Sequence, residues 1–103
     1  MESLPGLQQS GEGKAVASGV ASKSVVLPLD VDSNKSRAYF VTKTGSNVVY
    51  ARLAEAGSAI ALFQGPIIPN DGTGIVLKSS GDTYLYVIAD AGTDIVTVVP
   101  MSL

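Results

Sequence analysis

The chain has no cysteine and no histidine. The first absence removes disulfide frameworks and thiolate metal sites and leaves the redox compartment unread. The second removes the commonest general base and a frequent metal ligand. Tryptophan is also missing, and charged residues make up only 16% of 103 positions, so buried chemistry has few groups to draw on. Seven basic residues against nine acidic ones give a net charge of −2. That balance carries no general attraction to nucleic acid or to an anionic membrane, and neither is expected as a partner. No apolar run approaches the roughly 20 residues of a membrane-crossing helix. The opening residues MESLPG show neither the basic nor the apolar region of a signal peptide.

What is present is a hydrophobic content of 46%, too high for a disordered chain, in a length that makes one domain with little core to spare. Tyr84 to Val99, YLYVIADAGTDIVTVV, is the densest stretch. Two runs rich in β-branched and aromatic residues flank the turn formers Asp90-Ala91-Gly92-Thr93, which predicts a hairpin. Alternation sends Tyr84, Tyr86 and Ile88 to one face and Leu85, Val87 and Ala89 to the other. In the second run Val96 and Val98 oppose Ile95, Thr97 and Val99. A half-buried antiparallel ribbon has one wet face, and here neither face is polar. Either two layers of the chain's own protein enclose these strands or another copy covers the second face; the second is the expectation, with Tyr84, Tyr86, Ile88, Tyr50 and Val99 as the oligomer interface.

Residues 1–23 read as a flexible N-terminal arm with a weak edge strand in Lys14–Ala21, and residues 24–103 as a single β-domain. Leu4 and Leu7 are isolated leucines in the polar part of that arm. Ser24–Leu29 predicts a strand with Pro28 near its end. Arg37–Thr44 and Val48–Leu53 predict a second hairpin across Gly45-Ser46-Asn47. Ala59–Phe63 reads as a short strand and Ile75–Lys78 as another, with a turn at Asn70–Gly74 between them. Pro100 is expected to stop the last strand, leaving Met101, Ser102 and Leu103 as an apolar tail. Seven to eight short antiparallel strands with frequent turns and no helix make the fold class all-β. The architecture is a compact β-sandwich or small barrel, jelly-roll-like or immunoglobulin-like.

The motifs that might carry chemistry fail on single residues. Asp30-x-Asp32-x-Asn34 begins like a calcium loop, but Lys35 and Val41 stand where glycine and a bidentate glutamate belong. Gly6-x4-Gly11 starts like a phosphate loop, and Glu12 then opposes the phosphate. No lysine has a serine three positions before it, so a serine–lysine pair of that spacing is absent. Arg37–Val41 is a poor RNA-recognition strand, since Tyr39 and Phe40 point to opposite faces. The expectation is a protein that is not an enzyme, with no catalytic, cofactor or metal site. Tyr39, Tyr50, Tyr84 and Tyr86 would suit a carbohydrate-binding module if they were exposed together.

The alternation of Arg37-Ala38-Tyr39-Phe40-Val41, Gly45 before Val48–Leu53, Gly65, Tyr84–Ala89, and Gly92-Thr93 before Val96-Thr97-Val98 resembles small bacteriophage virion proteins. These include capsid cement (decoration) proteins and head or neck accessory proteins, and the likeness spans residues 24–99. It implies a compact β-domain that forms a symmetric homo-oligomer, a trimer, on the outer capsid surface, with the major capsid protein as partner. It would be made in the host cytoplasm and end in the virion. Leu4, Leu7, Met101 and Leu103, in the arm and tail, are the expected capsid contacts. A head–tail neck, tail or fibre position is the alternative.

Overall fold

The computed structural model describes residues 8–29 and 38–102. They form eight strands: β1 (Gln8–Gln9), β2 (Lys14–Ala17), β3 (Lys23–Val26), β4 (Ala38–Thr44), β5 (Val49–Ala54), β6 (Ile75–Lys78), β7 (Tyr84–Ala89) and β8 (Ile95–Ser102). All pairings are antiparallel, and no helix occurs among the described residues. One sheet runs β1-β8-β4-β6 with β2 also on β8, and the other runs β3-β7-β5. The result is a small β-sandwich.

Neither predicted hairpin forms. β7 pairs with β3 and β5 in the smaller sheet, while β8 pairs with β4, β1 and β2 in the larger one. Asp90–Asp94 is therefore an arch from one sheet to the other. The same holds for Gly45–Val48, which carries β4 of the larger sheet into β5 of the smaller. A turn followed by an apolar run fits both outcomes. Two-sided hydrophobicity selects the arch, because each strand then has a facing sheet to bury one side against.

Bonded through Ala51 N–H to Pro66 C=O (3.0 Å) and Ile68 N–H to Val49 C=O (2.9 Å), residues 66–68 lie in the position of a fourth strand beside β5. With that segment counted, the order of the two sheets is β2-β8-β4-β6 and β3-β7-β5-(66–68). Every successive step crosses between sheets except the one from β5 to 66–68. This is the strand order of a jelly roll, and it decides against the immunoglobulin alternative.

Between the sheets lie Tyr39, Val41, Val49, Ala51, Leu85, Val87, Ala89, Val96 and Val98, with Leu27 and Ile68. These are the inward positions of the alternation on β4, β5, β7 and β8. Two further expectations need correction. Ala59–Phe63 is loop, not strand. Pro100 does not end β8, which continues to Ser102 and pairs Pro100 with Tyr39. The Pro100 carbonyl accepts from Ser10 N–H at 2.9 Å, so its missing donor also faces the gap between β1 and β2. A proline is tolerated there because no ladder bond is lost. Residues 8–9 and 14–17 of the expected arm are laid along β8.

Candidate functional site

Over β5 and β7 the outer face of the smaller sheet is covered by the chain itself. Tyr50, Tyr86 and Ile88 are only 6–7% exposed and cluster with Ile60, flanked by Val48, Ala54 and Tyr84. The cover is the loop from Glu55 to Pro66, pinned at several points. Tyr86 hydroxyl donates to Glu55 C=O at 2.8 Å and accepts from Ser58 N–H at 3.2 Å. Arg52 Nη2 donates to Ala59 C=O at 2.9 Å, and Ile60 N–H donates to Ser22 Oγ at 3.1 Å. Gly65 is held so close to β5 that a Cβ there would run into the Ala51 carbonyl. Burial of the three side chains contributes roughly 1.5–3 kcal/mol each.

This corrects the expected oligomer interface. Tyr50, Tyr86 and Ile88 meet their own loop, and Tyr84 is half-buried beside Tyr86, ring centroids 6.0 Å apart. Val99 is half-buried in the other sheet, opposite Phe40, so the five residues do not share a surface. Met101, expected in a free tail, is buried in β8 between Gln9 and Ala38. Leu4, Leu7 and Leu103 lie outside the described residues, as does the Asp30–Asn34 motif.

Beside the exposed Glu55 and Gln64, the covering segment presents large apolar side chains outward. Leu62, Phe63 and Ile67 are exposed, Phe63 to 81%. Phe63 has φ of 68°, a left-handed conformation that bulky residues rarely adopt. The turn around it closes through Gln64 N–H to Ala61 C=O (3.2 Å) and Ala61 N–H to Gln64 Oε1 (3.0 Å). One side of the ring rests on Tyr50, centroids 5.2 Å apart. The rest stands in solvent as a knob.

At the Thr83 end of the sandwich a cleft of about 220 Å³ opens between the sheets. Val26, Leu27, Leu29, Tyr39 and Thr83 line it, and Lys14 and Asp82 add charge. Val26 and Leu29 are themselves exposed. Among the described residues seven large hydrophobic ones are exposed, of which three belong to the knob and two to this cleft; Val20 and Ile95 stand apart.

The opposite end holds a charged pair with no access to solvent. Lys43 Nζ and Asp94 Oδ2 are 2.7 Å apart, their side chains 0% and 1% exposed. Lys43 also donates to Gly45 C=O at 3.0 Å, and Asn47 Nδ2 donates to Asp94 Oδ1 at 2.7 Å. Asp94 N–H donates to Ser18 Oγ at 2.9 Å, and Ser18 N–H returns a bond to Asp94 C=O at 2.8 Å. Burial pushes the Asp94 carboxyl up, but the Lys43 and Asn47 hydrogen bonds and the Lys43 charge outweigh it and hold the pKa below the ordinary value. The network ties the end of β2 to both arches. It is a structural clamp, since each polar atom of Asp94 is bonded to another part of the chain. Lys43 shares the inward parity of Tyr39 and Val41, a signal that could have marked it as a buried charge in need of a partner.

Among the described residues no three acidic side chains gather into a metal site. No family model, curated protein or solved structure matches this chain.

Proposed function

We propose that this chain is a structural protein of a virus particle, without enzymatic activity. In this reading it is a capsid cement protein that seats on the outer shell as a symmetric oligomer, a trimer, and stabilises the contacts of the major capsid protein. The observation that carries the reading is the jelly-roll order of its strands in a chain of 103 residues. That architecture recurs in viral capsid domains. Fold alone assigns no function, so the second support is the kind of surface offered: a rigid apolar knob and an apolar cleft, which suit protein contact. Oligomerisation rests on those surfaces and no longer on the tyrosine face.

A small surplus of binding per copy, repeated over a lattice, suffices to resist outward pressure. The knob at Phe63 would supply most of it, because aromatic anchors dominate interface energies. The test is quantification of the protein in purified particles, followed by addition of the isolated protein to shells that lack it. A copy number in the hundreds with raised thermal stability of the shells is the expected result. A copy number of about a dozen or fewer would favour a neck, tail or fibre position, and absence from particles would overturn the reading.

Lectins also use this roll, which keeps a carbohydrate-binding module as the alternative. Tyr39, Tyr50 and Tyr86 are buried, so the platform of tyrosines that would stack on sugar rings is not available. That observation favours the structural role.

A further inference from the structure

We propose that the Asp71–Gly72 peptide is the place where this chain rearranges to isoaspartate, and that Thr73 holds the rearrangement back. Among the aspartates only Asp71 is followed by glycine, and no asparagine is. The glycine matters because its neighbouring amide nitrogen is the nucleophile, and a Cβ on the following residue would crowd it. Asp71, Gly72 and Thr73 are all exposed, and the space beside Gly72 is open. Gly72 has φ of 80°, a conformation that glycine adopts at no steric cost.

The step balances without any other reactant. The Gly72 amide nitrogen attacks Asp71 Cγ, the N–Cγ bond forms, and the amide proton leaves with the carboxyl hydroxyl as water. The product is a five-membered cyclic imide. Water then opens the ring. Attack at Cγ restores aspartate, whereas attack at the main-chain carbonyl breaks its bond to nitrogen and leaves the chain running through the side chain. The second outcome lengthens the backbone by one atom. Gly74 is packed so closely on Phe40 and Thr42 of β4 that a Cβ there would meet both side chains, so the start of β6 has little slack to absorb the change.

Thr73 opposes the first step. Its hydroxyl donates to Asp71 Oδ1 at 2.7 Å, and its N–H donates to the same oxygen at 3.0 Å. Both bonds favour the charged carboxylate, and together they hold the Asp71 carboxyl below its ordinary pKa. A carboxylate has no hydroxyl to release, so ring closure draws only on the protonated fraction, which these bonds reduce. They also tie the side chain to residue 73 and restrain the rotation that closure needs. The site stands whether or not the chain belongs to a virus particle.

The test is incubation of the folded protein in mildly acidic buffer for several weeks, followed by peptide mapping with electron-transfer fragmentation, which tells the two linkages apart. Thr73→Val removes the hydroxyl and keeps the backbone donor, whereas Thr73→Ser keeps both. Isoaspartate is expected first at residue 71, several-fold faster in Thr73→Val than in the wild type and at the wild-type rate in Thr73→Ser. In urea, where the folded hydrogen bonds are gone, the three chains are expected to react alike. Isoaspartate appearing first at another residue would overturn the proposal. So would Thr73→Val reacting no faster than the wild type, Thr73→Ser reacting as fast as Thr73→Val, or a difference between the chains that persists in urea.

Discussion

Asp94 is the residue at which the ends of three strands are fastened, and its energetics follow from who faces it. With Asp94 replaced by alanine, the Lys43 ammonium is left covered and unpaired. The cost is about 3 kcal/mol, the low end for buried pairs because the site lies at the edge of the sandwich. Lys43→Met combined with Asp94→Leu removes both charges, and the double variant is expected to recover most of that loss in urea denaturation. The folded state also holds the Asp94 carboxyl below its ordinary pKa. The unfolded chain then takes up the proton first as pH falls. The contribution of Asp94 is complete above about pH 5 and disappears progressively as pH drops below 4 and through the folded value. Urea midpoints between pH 6 and 2 should fall less steeply for Asp94→Asn than for the wild type.

Phe63 presents the opposite case, a residue that costs the fold something. Its left-handed backbone carries about 1–2 kcal/mol of strain, and its ring contact with Tyr50 returns about 0.5–1.5 kcal/mol. The two nearly cancel, so Phe63→Gly should change unfolding free energy by less than about 1 kcal/mol. A loss above 2 kcal/mol would make the ring a structural member and weaken its assignment to a contact between molecules. Neither residue announces its role by type alone. Parity along β4 could have identified Lys43, but nothing local marks Phe63, whose exposure depends on how the loop settles over the sheet.

Among the elements, the loop from Glu55 to Pro66 matters most, because it turns an outward sheet face into a second small core. Gly65→Ala forces a methyl group against the Ala51 carbonyl and should lift the loop away from β5. The expected loss is about 2–3 kcal/mol, with faster hydrogen exchange at the Ala51 and Ile68 amides and new exposure of Tyr50. Unchanged exchange at those amides would show that the loop is held by Tyr86 and Ser22 alone. The strands themselves were legible: β4, β5, β6, β7 and most of β8 fall where alternation and turn residues put them. Their partners were not. Asp90-Ala91-Gly92-Thr93 and Gly45-Ser46-Asn47 carry the residues of a hairpin turn, and turn chemistry does not say whether the chain doubles back in one sheet or crosses to another. The two-sided hydrophobicity of β7 was the correct sign of a cover on both faces. The sequence points to another copy as that cover because AIALF has the composition of a strand, whereas it is the loop that carries Ile60 onto the sheet. Pro100 misled in the same way, because a proline ends a strand only when its missing donor faces a partner.

At the scale of the whole molecule, the roll order makes nearly all strand pairing distant in sequence. β8 joins β1, β2 and β4, with Gln8 opposite Ser102 and Lys14 opposite Val98. No two successive strands among β2 to β8 pair with each other. Loop-closure entropy must therefore be met before most contacts form, which sets folding in the millisecond-to-second range of other non-local β-proteins. β8 is the last strand and the hub of the larger sheet, so the sandwich cannot be completed until the C-terminal segment is in place. Removal of residues 95–103 strips the partner from β1 and β2 and the longer of its two ladders from β4. The truncated chain is expected to lack a cooperative thermal transition and to show no dispersed amide spectrum, whereas a chain trimmed only before Gln8 should keep both. Stopped-flow refolding of the full chain in under a millisecond, or a folded truncation, would contradict the roll as the source of cooperativity. The same topology accounts for the form of the outer surface. With the last strand holding β1 and β2 in one sheet, the large apolar side chains exposed among the described residues fall mostly on the lid and at the mouth of the roll.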